Sequence, residues 1–106
     1  MIVERFTIDL NASGLEAIYK GWQVPIMRAL LGGAKLKSLD AWKTHAPEVS
    51  RASVINFLEA QYSAGVLDGE MVTGKGGHHR IYQAAVTLDT LLDTLQNAAI
   101  QKLRME

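Results

Sequence analysis

The sequence predicts a small α+β domain that is mainly helical, and three observations lead to this fold class. An amphipathic helix pattern begins after Ser50 and a glycine, Gly65, follows where that pattern stops. Two strand-like runs then flank the glycine-rich segment 74–77. A short glycine-rich connection between two such runs is typical of a β-hairpin. We therefore expect a helix that is followed directly by a hairpin.

The central helix is predicted from its cap and its apolar spacing. Ser50 can accept a hydrogen bond from a free amide of the first helical turn. Val54, Phe57 and Leu58 recur at i, i+3 and i+4, which places them on one face of a helix. Gly65 is suited to the left-handed residue that commonly ends a helix.

Before this helix, the chain divides at glycines and prolines. Residues 1–12 alternate apolar and polar side chains, which favours an N-terminal extended arm or strand. Ser13 and Glu16 have capping-box spacing, so a first helix is expected to begin near Gly14. Pro25 favours a boundary before it and opens a second helix that extends to Leu31, with Ile26, Ala29 and Leu30 facing the core.

A further short helix precedes the central one. Residues 34–37 can form a first strand beside the hairpin. Ser38 is then expected to cap a helix over 39–46, which Pro47 ends. Two short helices joined by a tight turn form a helix-turn-helix unit.

Residues 87–106 are predicted to form a C-terminal helix capped by Thr87, after a domain that spans 13–86. A helix with a broad apolar stripe must bury that stripe, and a second copy of the same helix is a natural partner in a chain this short. The predicted homodimer contacts are Leu88, Leu91, Leu92, Leu95, Ala99 and Leu103.

The arrangement resembles the winged helix-turn-helix fold of prokaryotic transcriptional regulators, of the MarR-like and penicillinase-repressor-like kind. The resemblance is carried by 49–54 (VSRASV), 64–67 (AGVL) and 80–82 (RIY), and it covers 24–84. It implies that the central helix enters the DNA major groove while the hairpin, or wing, lies along the backbone or the minor groove. Gln61 departs from the pattern, because these families usually place a buried leucine there. We expect shallower packing at this point or support from Tyr62.

Composition and charge limit the function classes. The chain has 106 residues and no cysteine, which excludes disulfides and thiolate metal sites. No apolar run is long enough for a membrane span, so a cytoplasmic location is expected. The formal net charge is zero, but 20–56 and 71–83 contain eight basic residues against Asp40 and Glu48. A basic face of this kind suits local contact with phosphates.

We therefore predict a transcriptional regulator that binds double-stranded DNA sequence-specifically, as a homodimer on a palindromic operator. Arginine can pair with guanine and asparagine with adenine, whereas lysine contacts to phosphate position the protein without specifying sequence. The predicted contacts lie on the central helix, beside the preceding helix and at the hairpin tip: Ser50, Arg51, Ser53, Asn56, Lys37, Lys43, Lys75, His78, His79 and Arg80.

Other functions are less favoured. No nucleophile elbow, zinc-protease motif or P-loop is present, so we expect neither an enzyme nor a cofactor. Adjacent residues on a strand point to opposite faces, which argues against a metal site at His78 and His79. A small-molecule effector pocket near Tyr19 and Trp22 is left open. The principal alternative is a winged helix that binds a protein partner instead of DNA.

Overall fold

The computed structural model describes residues 14–74, 77–94 and 97. About half of these residues are helical, and a three-stranded antiparallel sheet completes the fold, so the α+β class is confirmed. The elements in chain order are a 3-10 helix (Gly14–Ala17), α1 (Val24–Leu31), β1 (Leu36–Lys37), α2 (Ser38–His45), α3 (Arg51–Ser63), β2 (Leu67–Gly74) and β3 (Gly77–Ala84). Residues 88–94 are again helical. The predicted arm, 1–12, lies outside the described residues.

The sheet has the strand order β1-β3-β2, so the hairpin formed by β2 and β3 is joined by the short first strand. Leu67 pairs with Ala84 at the open end, and Gly74 pairs with Gly77 at the tip. The strands therefore extend farther than the sequence predicts, and the connection contains only residues 75 and 76. β1 pairs with β3 through Leu36 and Lys37, as expected for a strand within 34–37.

The predicted first helix is wrong in its length. Only a single 3-10 turn forms at Gly14–Ala17, and the amides of Ile18 and Tyr19 both bond to the Leu15 carbonyl. The Gln23 side chain then accepts a bond from the Lys20 amide at 2.9 Å. Glycine at 21 and proline at 25 disfavour continuous helix here, and these local bonds replace the helical ladder.

α1 has Pro25 in its first turn and ends at Leu31 with Gly32 at the C-cap, as the sequence predicts. Its buried residues include Ile26, Leu30 and also Met27, a fully enclosed side chain that the sequence pattern does not predict in the core. Ala29, expected in the core, is only half buried. The core therefore contacts a face of α1 rotated slightly from the expected one.

Ser38 does not cap α2. The helix begins at Ser38 itself, the cap position falls on Lys37, and no side chain caps it. The cause is the strand that comes immediately before, because Lys37 has φ −82° and ψ 159° while it is paired with Ile81. α2 ends at His45, two residues before Pro47, which agrees with the predicted stop.

Both ends of α3 follow their local signals. The Ser50 side chain accepts a bond from the Ser53 amide at 3.1 Å, which satisfies one of the free amides of the first turn. At the other end Gly65 has φ 82°, a conformation that glycine adopts without strain. The Val66 amide bonds back to the Gln61 carbonyl at 3.0 Å, which is the long bond of a Schellman motif.

The core is formed where one face of α3 meets α1, the 3-10 turn and the sheet. Its residues include Val54, Phe57 and Leu58, as predicted, and Gln61 extends the same face. The expectation of shallow packing at Gln61 is wrong, because this side chain is only 8% exposed. The Tyr19 hydroxyl donates to Gln61 Oε1 at 2.7 Å. A buried amide is tolerated at this position because it has a buried hydrogen-bond partner.

The C-terminal helical segment packs on the same core. Thr87 accepts a bond from the Thr90 amide at 3.1 Å, as predicted for a cap. Leu91 is fully buried within its own chain, so its assignment to a dimer surface is wrong. None of the helices in the described ranges combines the length and apolar character that crossing a bilayer requires.

The buried Tyr19–Gln61 pair gives a test of the core. We expect Tyr19→Phe to lower the free energy of unfolding by about 1–3 kcal/mol, because Gln61 loses its buried donor. Adding Gln61→Leu should recover most of this loss, since both polar groups are then removed. Urea denaturation measures both variants. An unchanged unfolding midpoint for Tyr19→Phe would contradict the assignment.

The cap of α3 gives a second test. Ser50→Ala should destabilise the protein by about 1 kcal/mol, because the Ser53 amide loses its acceptor. Ser53→Ala is the matched control, since it keeps the Ser50 hydroxyl and its own amide. Thermal and urea unfolding should show a loss for Ser50→Ala that clearly exceeds that for the control; equal losses would mean that the cap is not the cause.

Candidate nucleic-acid interface

The turn between α2 and α3 is held by an aromatic side chain. Trp42, in the last turn of α2, donates its indole N–H to the Val49 carbonyl at 2.8 Å. This bond spans the turn at Pro47 and ties α2 to the residue that precedes the α3 cap. The start of α3 is thus held in a defined position relative to α2.

At that start, the predicted contacts Ser50, Arg51 and Ser53 are all exposed. The two serine hydroxyls lie 2.9 Å apart and form a hydrogen bond. Because Ser50 also caps the helix, these hydroxyls are already engaged locally. Arg51 is therefore the residue of this group with the longest reach toward a ligand.

The exposed surface of α3 has two distinct stripes. Arg51, Ile55 and Glu59, at i, i+4 and i+8, face the hairpin and line a groove. Asn56 is exposed on the other side of this stripe, and it does not line the groove. Arg51 and Asn56, which the sequence predicts as base contacts, therefore lie on different stripes of α3.

We name the space between the start of α2, this stripe of α3 and the hairpin the α3–hairpin groove; its volume is about 530 Å³. It brings together four of the predicted contacts: Lys37, Arg51, His79 and Arg80. Its apolar lining is Leu39, Ile55 and Met71. The groove therefore combines basic side chains with apolar ones.

Arg80 does not lie at the hairpin tip. It pairs with Met71 in the hairpin ladder, and its Nε donates to Glu59 Oε1 at 3.1 Å. Its guanidinium carbon lies 4.1 Å from the centre of the Tyr62 ring, a cation–π arrangement. Desolvation lowers the pKa of Arg80, but the charge and hydrogen bond of Glu59, together with smaller effects of Tyr62 and Tyr82, outweigh it, so the pKa is raised.

Glu59 is the residue that sequence reasoning missed. Besides Arg80, it accepts a 2.5 Å hydrogen bond from the Tyr82 hydroxyl. Burial, and then this bond, raise the pKa of Tyr82, so the hydroxyl remains a donor. A carboxylate at helical spacing from Arg51 was visible in the sequence. Its contacts depend on where β3 lies against α3, which no local pattern indicates.

Gly69 on β2 completes this cluster. A Cβ atom at this position would lie 2.3 Å from Cδ of Arg80 and 2.7 Å from its Cγ. The aliphatic part of Arg80 therefore crosses the strand where a side chain is missing. The glycine allows the guanidinium to reach both Glu59 and Tyr62.

The remaining predicted residues are dispersed. Lys43 is exposed in the last turn of α2 and does not line the groove. Lys75 and the side chain of His78 lie outside the described residues, as do Leu95, Ala99 and Leu103. Leu88 is 39% exposed, and Leu92 lines a second groove with it beside α1.

Near Tyr19 and Trp22, where the sequence leaves an effector pocket open, aromatic side chains pack against each other. The Phe57 ring meets Tyr19 edge to face, with 5.7 Å between centroids, and it meets Trp22 similarly at 5.5 Å. Across the described ranges, no three histidine or acidic side chains are grouped as a metal site would require. The expectation that the protein needs no cofactor stays a prediction.

Comparison of the chain with protein-family models, curated proteins and solved structures finds no match. The exposed stripes of α3 and the α3–hairpin groove are therefore the features that bear on its function.

Proposed function

We propose that this chain is a winged-helix protein that binds double-stranded DNA sequence-specifically, as a homodimeric transcriptional regulator. The order of its elements supports this: a helix, a short strand, two helices joined by a tight turn, and then a hairpin. In this interpretation α3 reads the major groove and the hairpin formed by β2 and β3 is the wing.

The observation that carries the proposal is the set of basic side chains around the exposed start of α3. Arg51 lies in the first turn, and Lys37 and His79 line the same groove from the sheet side. Three separate elements, α3, β1 and β3, thus present basic side chains to one volume. Such an arrangement suits a DNA strand that passes between α3 and the wing, with phosphates near Lys37 and His79.

Asn56 supplies the second base contact in this proposal. It lies five residues after Arg51 on the exposed surface of α3, outside the groove. An arginine on one stripe and an asparagine on the next can contact successive bases if the helix lies across the major groove. Bidentate pairing of each with its base supplies about 1–3 kcal/mol of discrimination.

Substitution of Arg51 tests the direct readout. Selection from a random duplex pool should give a defined site for the wild type, and Arg51→Ala should lose preference at one base position. Asn56→Ala should lose preference at a different position, because the two side chains lie on different stripes. An unchanged selected site for both variants would contradict reading by α3.

Lys37→Ala tests the phosphate contact. It should weaken binding to all sequences equally and lower the slope of log affinity against log salt by about one unit. Lys20→Ala is the charge-matched control, since Lys20 is exposed but does not line the groove. If the control reduces the slope equally, general charge rather than this contact accounts for the effect.

The homodimer in this proposal uses the C-terminal helical segment through Leu88 and Leu92, without Leu91. Leu88→Asp should convert a dimer to a monomer in sedimentation experiments, because a charge would be placed in an apolar contact. Leu88→Met, which keeps an apolar side chain, should remain dimeric. A dimer that survives Leu88→Asp would place the interface elsewhere.

The second candidate is a protein-interaction module. One observation in its favour is Met71, which is 56% exposed and lines the groove together with Leu39 and Ile55. Another is the Glu59 carboxylate, a negative charge in the same groove that the first proposal assigns to DNA. An apolar interface of this kind would be insensitive to salt. Phosphate binding weakens steeply as salt rises, which separates the two candidates.

A further inference from the structure

The cluster around Glu59 ties the hairpin to α3 by three different contacts. One carboxylate oxygen, Oε1, accepts bonds from Arg80 and Tyr82, both on β3. The Arg80 guanidinium also covers the Tyr62 ring, one turn farther along α3. These contacts join one helix and one strand, and Gly69 on β2 provides the space for them.

A single exposed ion pair would contribute little to stability, because water screens it and two long side chains must be ordered. Here the geometry is restricted further by the aromatic ring, the tyrosine hydroxyl and the strand beneath Arg80. The effect of such a cluster is to fix an orientation. The cluster therefore fixes the angle between the hairpin and the stripe of α3 that contains Arg51, Ile55 and Glu59.

The position of the cluster relative to Arg51 gives it a consequence for binding. Glu59 lies eight residues after Arg51 on the same stripe, which corresponds to about 12 Å along the helix axis. Glu59, Arg80 and Tyr82 therefore line the same α3–hairpin groove as Arg51 and His79. A change in the hairpin angle at Glu59 alters the width of the groove at Arg51.

We propose that Glu59 and Arg80 are a positioning pair that holds the wing at the angle required for binding, and that Arg80 is not a phosphate contact. This inference rests on the proposed DNA-binding function. It assigns a role to Glu59, and it changes that of Arg80 from a ligand contact to a residue that acts through the hairpin. Gly69 is the third necessary member, since a side chain there would displace Arg80.

The positioning role predicts that Glu59→Gln changes DNA affinity in the direction opposite to that expected from charge alone. Removing a carboxylate near bound DNA ordinarily strengthens binding, because repulsion with the phosphates is relieved. Glu59→Gln should instead weaken binding, because the hairpin then spends less time at the competent angle. If that angle is adopted a tenth of the time, affinity falls about tenfold. Glu70→Gln is the control, an exposed carboxylate on β2 whose loss should leave affinity equal or stronger.

Two further variants separate position from charge. Gly69→Ala removes no charge and no polar group, yet it should reproduce the Glu59→Gln effect by displacing Arg80. Arg80→Met should weaken binding while the salt slope stays unchanged, because no phosphate contact is lost. The double variant Glu59→Gln/Arg80→Met should be no weaker than either single variant, as expected for residues that act as one unit.

The deciding experiment combines hydrogen exchange of the free protein with DNA binding across a salt series. We expect Glu59→Gln, Arg80→Met and Gly69→Ala to speed exchange of the amides of β2 and β3 by about tenfold, with α1 unaffected. Unchanged exchange, tighter binding by Glu59→Gln, or a slope about one unit lower for Arg80→Met would each overturn the proposal. If the wild type binds no DNA, the proposed function fails, and exchange alone still shows whether the pair holds the hairpin.

Discussion

The burial of one face of α3 is the constraint on which the rest of the structure depends. Val54, Phe57 and Leu58 lie in the core, and this fixes the rotation of the helix about its own axis. Given that rotation, Arg51 and Glu59 necessarily face the hairpin, whereas Asn56 is exposed beyond them. The candidate interface is thus a consequence of core packing.

Gln61 shows how closely that rotation is specified. A buried amide is tolerated only if its polar atoms are satisfied, so the Tyr19 hydroxyl must meet it at a defined position. Tyr19 lies in the 3-10 turn region before α1, and its ring also contacts Phe57 of α3. The segment before α1 therefore helps to fix α3, although it forms no regular helix of its own.

A protein of zero net charge can bind a polyanion only through the local arrangement of its charges. The groove places Lys37, Arg51 and His79 around one volume, while Glu59 is neutralised by Arg80 within it. Paired in this way, the carboxylate opposes an incoming phosphate less than a free one would. The same pairing joins the hairpin to α3, so charge balance and geometry arise from one contact.

Local signals in the sequence predicted the elements well and their contacts poorly. Ser50 and Gly65 mark the ends of α3 through bonds with near neighbours in the chain, and such bonds can be anticipated from residue type. The prediction of a first helix was wrong in length because a short-range bond between Lys20 and Gln23 forms in place of helical backbone hydrogen bonds. The pairs Glu59–Arg80 and Tyr19–Gln61 span 21 and 42 residues. They depend on how elements are packed, which spacing along the chain does not encode.

The central claim is that this fold presents a phosphate-binding surface at α3 and the hairpin. The most direct measurement is the affinity of the wild-type protein for a random-sequence duplex between about 50 and 200 mM salt. The account predicts binding at low salt that declines linearly in log affinity against log salt. Absence of binding at low salt, or binding that salt does not change, would contradict it.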